Sequence, residues 1–253
     1  MKNDQLQKQE EAVAHILDDT ADDSISIAKL YHLSDLPQEL MDRLVTAWPT
    51  IPLGRRQKIA RHLADIMEEN YQVDFTPLFA HFLQDPHAEV RRAALDGLWD
   101  SSDTSLIPAV IALMQNDAEE SVRVAAASAL GHYVLMAQWG EIDPAADKPI
   151  VPALLAELDN DGVSLSMRRA ALESVAASGH GRVPDLIQAA YASNRYELRL
   201  SAVYAMGYSA DRRWLSTVLL ELDHDEPDMR IEAARAAGML SASDAIEKLA
   251  ELI

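Results

Sequence analysis

Five segments of this 253-residue chain share one pattern, in which an arginine follows an apolar residue and precedes small residues at helical spacing. The segments read VRRAALDGLW, VRVAAASALG, MRRAALESVA, LRLSAVYAMG and MRIEAARAAG, and they begin at Val90, Val122, Met167, Leu198 and Met229. Their arginines are separated by 32, 45, 31 and 31 residues. A repeat of this length is typical of stacked structural units, each of which contacts only its neighbours. The longer interval indicates an insertion.

The columns of the repeat predict one buried helix face per segment. Three places after each arginine stand Ala94, Ala126, Ala171, Ala202 and Ala233, and seven places after it stand Leu98, Leu130, Val175, Met206 and Ala237. Residues at these intervals share one side of an α-helix. Alanine in the middle of the face allows a neighbouring helix to pack at an axial distance of about 8 to 10 Å.

A second helix is predicted before each of these segments. In four of the five repeats it opens near a proline, which suits the first turn of a helix: Pro77, Pro108, Pro152 and Pro184. The residues between the two helices are rich in Asp, Asn and Ser, which cap helices. Each repeat is therefore predicted to be a helical hairpin, with a helix A followed by a helix B.

These hairpins resemble the HEAT-repeat family, including its phycobilisome-lyase HEAT-like repeats. The shared features are a helix A with proline, a turn with aspartate and a helix B reading V-R-x-A-A-x-x-A-L. The resemblance implies an all-α fold, a right-handed α-α superhelix of about six to seven helical hairpins. It covers residues 75–253 clearly. It is weaker over residues 37–74, where Arg56, Ile59 and Leu63 fill the expected columns but Arg55 replaces an apolar residue.

The repeat spacing predicts the organisation of the chain. Residues 1–74 are expected to form a cap of divergent N-terminal helices, with amphipathic patterns at 4–19 and 37–48. The HEAT-like repeats are expected at 75–103, 104–147, 148–180, 181–211, 212–242 and, in part, 243–253. The second of these carries the insertion, centred on residues 133–149, which is either a recognition device or a tolerated surface segment.

The last residues carry an apolar helix face that no further helix B follows. Its members are Ala245, Ile246, Leu249, Leu252 and Ile253. Because the ends of repeat arrays need a polar cap, we expect either that the natural chain continues or that this edge meets a partner or a second copy of the chain.

The HEAT resemblance also implies a structural ladder, in which each motif arginine pairs with a turn acid of its own or the adjacent hairpin. The arginines are Arg91, Arg123, Arg168, Arg199 and Arg230, and the acids in matching positions are Asp85, Asp117, Asp161 and Asp225. The fourth repeat offers Asn194 instead of an acid.

Composition excludes several classes of function. The chain has no cysteine, so it forms no disulfide, thiolate metal site or cysteine nucleophile, and a reducing cytoplasm is expected. The formal net charge of −19 repels phosphate backbones and anionic lipids, so neither nucleic acid nor membrane is an expected partner. The polar, acidic N-terminus lacks the basic start and apolar run of a signal peptide, and no stretch approaches 18 uninterrupted apolar residues, so a soluble protein is expected.

No residue pattern predicts catalysis, a cofactor or a metal. The iron-binding HEAT-like enzyme deoxyhypusine hydroxylase uses repeated His-Glu dipeptides, whereas none of the eight histidines here precedes a glutamate. The stretch from Glu157 to Gly162 resembles the start of a calcium loop, but Arg168 occupies the position that requires a glutamate. Nucleophile elbows and phosphate-binding glycine loops are also missing.

In the HEAT family the B helices line a concave face, and residues five and nine places after the motif arginine point towards it. Together with Trp99, which lies beside Asp100, this predicts a partner-binding set of Asp96, Trp99, Asp100, His132, Glu173, Tyr204 and Tyr208. Acids beside aromatic rings suit a basic or arginine-rich peptide. The alternative is that Trp99 belongs to the core and the tyrosines are ordinary surface residues.

The favoured function is thus a non-catalytic scaffold whose acidic concave face binds a basic protein or peptide. One alternative is a lyase or lyase subunit similar to the phycobilisome chromophore lyases, which rests on the repeat resemblance alone. Another is an immunity-type inhibitor of a cationic toxin, which rests on the acidic composition.

Overall fold

The computed structural model describes residues 2–18, 24–70 and 72–240, and every regular element in these ranges is helical. The α-helices are α1 Lys2–Leu17, α2 Ile27–Leu30, α3 Gln38–Ala47, α4 Leu53–Glu69, α5 Thr76–Phe82, α6 Ala88–Gly97, α7 Ile107–Asn116, α8 Glu120–Trp139, α9 Asp147–Asp159, α10 Leu165–Val175, α11 Val183–Tyr191, α12 Tyr196–Tyr208, α13 Leu215–Glu221 and α14 Pro227–Met239. The chain divides into two compact units, Met1–Ala129 and Leu130–Ile253, and the division falls inside α8.

Five successive helix pairs follow the order of the predicted hairpins, from α5 and α6 to α13 and α14. In the second unit the B helices α10, α12 and α14 pack side by side in chain order. In the first unit α4 packs against α6 in the same way, so α4 takes the place of a B helix before the clear repeats. The prediction of an all-α helical-repeat solenoid is confirmed.

The arginine-anchored columns form the core of these hairpins. All five alanines of the central column are fully buried, as are Leu98, Leu130, Val175 and Met206 in the next column. Ile59 and Leu63 of α4 are buried in the same positions. Burial of this apolar face is the main source of stability for each hairpin, because short isolated helices are marginal in water.

Three of the four prolines stand in the first turn of a helix A, namely Pro77, Pro108 and Pro184. Pro152 differs from the prediction, since α9 begins at Asp147 and Pro152 lies inside the helix. The earlier start follows from a 3₁₀ turn at Pro144–Ala146 that leads directly into α9. The Asp143 carboxylate caps this turn by accepting a hydrogen bond from the Ala145 N–H at 2.8 Å.

The insertion prolongs helix B of its repeat and continues into a loop, as its residues predict. Helix α8 has 20 residues, and its second half buries Tyr133 and Val134 completely. The helix ends at Trp139, which is exposed, and Gly140 follows with a left-handed φ of 74°. Glycine adopts this conformation without steric cost, so the chain turns there towards α9.

The buried side chain of Arg55 explains why this position of α4 departs from the repeat pattern. Its Nη2 donates to the His15 carbonyl at 2.7 Å and its Nε donates to the Ile16 carbonyl at 3.3 Å. These carbonyls end α1, where backbone acceptors lack helical partners. Arg55 therefore joins the first helix to the repeats. The apolar C-terminal pattern at 243–253 lies outside the described residues.

A candidate protein-binding face on the B helices

Tyr204 and Tyr208 form the most distinctive aromatic contact on the B helices of the second unit. They lie one turn apart on α12, and their rings stack with centroids 4.3 Å apart and planes 20° from parallel. Burial, the hydrogen bond with Tyr208 and the negative charges of Glu173 and Glu232 all raise the pKa of the Tyr204 phenol. The Tyr204 phenol therefore stays neutral at physiological pH, with one carboxylate on each adjacent helix near it.

Glu173 is held in place from the next helix. Its carboxylate accepts a hydrogen bond from the Ser201 hydroxyl, and the Arg169 Nε donates to the same hydroxyl at 2.9 Å. The direct Arg169 to Glu173 ion pair is long, at 3.7 Å. Glu173 is thus oriented mainly through Ser201.

Glu232 is the second carboxylate near the two tyrosines, although the sequence pattern did not predict it. It lies on α14 with only 13% of its side chain exposed, and its nearest cation is Arg235 at 3.4 Å. Burial raises the pKa of the Glu232 carboxyl, Arg235 opposes the shift, and the charge of Glu173 adds to it. We call Glu173, Tyr204, Tyr208 and Glu232 the tyrosine site.

A sequence signal for Glu232 exists in its column. Two places after the motif arginine, the first three repeats carry Ala93, Ala125 and Ala170. The last two carry Ser201 and Glu232 instead. Polar residues in a column otherwise held by alanine mark the two helices at which the tyrosine site forms.

The other predicted binding residues are placed differently. Asp96 lies on α6 and pairs with Arg61 of α4 at 2.9 Å, so its charge is already balanced within the first unit. Helix α6 ends at Gly97, which leaves Trp99 and Asp100 in the following turn rather than on the helix face. An added Cβ at Gly97 would lie 2.3 Å from the Phe79 ring, so this helix end is packed tightly. His132 is half-buried on α8.

Two arginine–acid pairs of the predicted kind form in the first unit. Asp85 is fully buried and accepts hydrogen bonds from the Arg56 guanidinium and, at 2.8 Å, from the Trp48 indole. Arg91 binds the Asp117 carboxylate through two bonds of 2.7 Å and donates a third, of 2.8 Å, to the Asp85 carbonyl. Each arginine thus takes the turn acid of the following hairpin.

The ladder differs from the prediction elsewhere. Arg123, Arg168 and Arg230 donate to backbone carbonyls of their own turns, and Arg199 lies over the Tyr196 ring at 5.9 Å. Asp161 and Asp225 are exposed in their turns and form no ion pair within the described residues. An exposed carboxylate remains well solvated, whereas a turn carbonyl near the arginine needs a donor, so the backbone bond is retained.

A groove of about 680 Å³ opens beside α5 and α7, which are A helices of the first unit. Its lining is largely alanine and leucine from α5 and α7, with the mutually neutralised Arg91 and Asp117 at its rim. These residues provide no reactive group, and the groove has no charge preference of its own.

Comparison with known proteins agrees with the hairpin geometry. Residues 75–176 and 183–253 match the family of HEAT repeats. The chain belongs to the HEAT-repeat family. No curated relative matches the sequence.

Solved structures similar to this HEAT-repeat chain share only its fold. An engineered protein is 17% identical, with 80% of this chain and 96% of that chain covered and a TM-score of 0.48. Human deoxyhypusine hydroxylase in complex with glycerol is 14% identical, with 95% and 98% covered and a TM-score of 0.41. Yeast importin-beta is 16% identical, with 94% of this chain and 40% of that chain covered and a TM-score of 0.43.

The HEAT-repeat scaffold carries no evident metal centre in its described part. Within residues 2–18, 24–70 and 72–240, no three His, Asp or Glu side chains come together in a suitable group. No helix in the same ranges has the length and apolar character that crossing a bilayer requires.

Proposed function

We propose that this HEAT-repeat protein is a non-catalytic scaffold that binds a basic protein or peptide. The tyrosine site is the observation that carries the proposal, because it combines aromatic rings with two carboxylates on three neighbouring B helices. Cations are attracted both to ring faces and to carboxylates, and the attraction increases where water is partly excluded.

The electrostatics of the tyrosine site favour a positive ligand. The charge of Glu173 is close enough to raise the pKa of the Glu232 carboxyl. Two carboxylates that repel each other gain most when a cation is placed between them. Neither is fully compensated by its own arginine, since the ion pairs measure 3.7 and 3.4 Å.

The other residues that the sequence predicts to bind a partner are Asp96, Trp99 and Asp100 in the first unit and, separately, His132 in the second. Asp96 is paired with Arg61, whereas Asp100 is exposed. Asp96 is therefore expected to add little to the attraction of a basic partner, because a charge paired at an exposed site contributes little to affinity.

Neutralising the tyrosine site should weaken the binding of a basic peptide. We expect Glu173→Gln with Glu232→Gln to raise the Kd for fluorescein-labelled octa-arginine at least about tenfold, and to flatten its salt dependence. Glutamine retains the size of each side chain and still accepts the Ser201 hydrogen bond. Fluorescence anisotropy titrations at several salt concentrations would measure both effects.

A matched control separates this site from the general acidity of the chain. Glu141→Gln with Asp185→Asn removes the same two charges from exposed positions elsewhere in the second unit. The control should change the Kd by less than about twofold, since distant exposed charges are screened. Equal losses of affinity in the two double variants would show that octa-arginine binding depends only on net charge. The tyrosine site would then be rejected as the binding site.

A further inference from the structure

Arg235 stands in the middle of an exposed stripe on α14. Ile231 and Met239 lie one turn before and after it, with 52% and 38% of their surfaces exposed. Large apolar residues grouped on a surface often mark a contact with another protein. The side chain of Arg235 is itself 71% exposed and pairs with Glu232 at 3.4 Å.

The ion pair between Arg235 and Glu232 is weak, although the Glu232 carboxylate is largely buried. It uses one nitrogen at 3.4 Å, and the arginine end of the pair is open to solvent. Such exposed pairs contribute little because the cation remains hydrated and loses side-chain entropy. The pKa of Glu232 accordingly stays raised, with burial as the main cause.

Arg169 provides a useful comparison on the other side of the site. Its side chain is 36% exposed, and its Nε is fixed by the Ser201 hydroxyl at 2.9 Å. Arg235 has only its Glu232 bond within the described residues. Between Arg169 and Arg235, a positively charged ligand therefore displaces Arg235 with the smaller loss of free energy.

We propose that the partner inserts an arginine at the tyrosine site, and that Arg235 occupies Glu232 in the free protein as a placeholder for that arginine. This inference rests on the proposed function and specifies its ligand. A planar guanidinium can bind a carboxylate through two parallel bonds and stack on a tyrosine ring at the same time, whereas a lysine ammonium is a point charge.

The chain already uses both of these arginine contacts internally. Arg91 binds Asp117 through two bonds of 2.7 Å, and the Arg199 guanidinium lies 5.9 Å from the centre of the Tyr196 ring on α12. At the tyrosine site the carboxylate and the rings come from adjacent helices. A guanidinium from outside, unlike Arg235, is not restricted by attachment to α14 three residues from Glu232.

Removal of the placeholder should strengthen binding. We expect Arg235→Ala to lower the Kd for octa-arginine about two- to fivefold in anisotropy titrations, the range expected for the loss of a weak competing ion pair. The gain for octa-lysine should be smaller. In the Arg235→Ala background, Glu232→Gln should abolish the gain.

Arg195→Ala is the matched control, because Arg195 is 62% exposed and also lies near a glutamate, 3.7 Å from Glu197. It removes the same charge away from the tyrosine site and should leave the Kd within about 1.5-fold. The placeholder role of Arg235 is contradicted if Arg195→Ala gives an equal gain in affinity, or if Arg235→Ala gives none.

These outcomes are distinct from failure of the proposed function. If the wild-type protein binds octa-arginine through Glu173 and Glu232 but Arg235→Ala binds no tighter, only the placeholder fails. If neither the wild type nor Arg235→Ala binds the peptide, both proposals fail. Binding by Arg235→Ala alone supports the placeholder directly.

Discussion

Replacing Asp85 with alanine should lower the free energy of unfolding by about 3 to 5 kcal/mol, the cost of leaving a buried charge without its partner. The Asp85 side chain is completely buried, and the Arg56 side chain is nearly so. The carboxylate also accepts hydrogen bonds from the Trp48 indole at 2.8 Å and from the His87 N–H at 2.9 Å. Alanine removes all of these acceptors at once and leaves Arg56 unpaired at this site.

Urea denaturation at pH 7 would measure the loss, with Asp159→Ala as the control. Asp159 also pairs with an arginine, Arg182, but both side chains are about half exposed. The control should unfold at nearly the wild-type urea concentration, because water replaces the arginine at an exposed carboxylate. Similar losses in the two variants would show that burial does not distinguish these pairs.

The Asp85 contribution should also depend on pH. Burial alone would raise the pKa of this carboxyl, but the bonds from His87, Trp48 and Arg56 outweigh it and hold the pKa below the ordinary value of 3.8. The ionised carboxylate therefore stabilises the fold above the unfolded pKa, and this stability is lost as the pH falls through the folded pKa. The difference in unfolding free energy between wild type and Asp85→Asn should shrink below about pH 4. A difference that grows on acidification would contradict this.

Gly207→Ala should destabilise the second unit by about 1 to 3 kcal/mol, although alanine favours helices over glycine. Gly207 lies on α12 where this helix meets α14. An added Cβ would lie 2.7 Å from the Cα and 3.0 Å from the Cβ of Ala236. The neighbouring atoms belong to the backbone or are fixed to it, so the two helices would have to separate.

We expect Gly238→Ala on the neighbouring helix α14 to have the opposite effect on stability. Gly238 lies within α14, and an added Cβ there meets no atom of the described residues within 4 Å. Because only helix propensity changes, this substitution should stabilise the protein by up to about 1 kcal/mol. Urea unfolding of both variants would show shifts of opposite sign. Shifts in the same direction would mean that the contact at Gly207 relaxes without cost.

The hairpins and their buried columns could be predicted from the sequence because each depends on local spacing. An apolar residue, an arginine and alanines at fixed intervals place one face of a helix in the core, whatever the neighbouring helix contributes. Three of the four predicted helix A prolines accordingly stand in a first turn, and Pro152 is the exception.

The partners of individual side chains were less predictable. Asp117 binds Arg91, while Asp161 in the equivalent turn is exposed, because the bond depends on where the adjacent hairpin places its guanidinium. Trp99 and Asp100 lie in a turn because α6 ends at Gly97, beside which the Phe79 ring packs closely. Pattern alone does not reveal such a contact between two helices.

The sequence by itself determined that the chain is a series of helical hairpins, with a repeated arginine and no thiol chemistry. Tertiary structure alone decided which charges balance one another and which remain available. Arg55 joins α1, Asp96 pairs with Arg61, and Glu232 is buried beside the stacked tyrosines. The physical reason is distance: periodicity sets the face on which a side chain lies, but Coulomb energy and desolvation depend on neighbours that are remote in the chain.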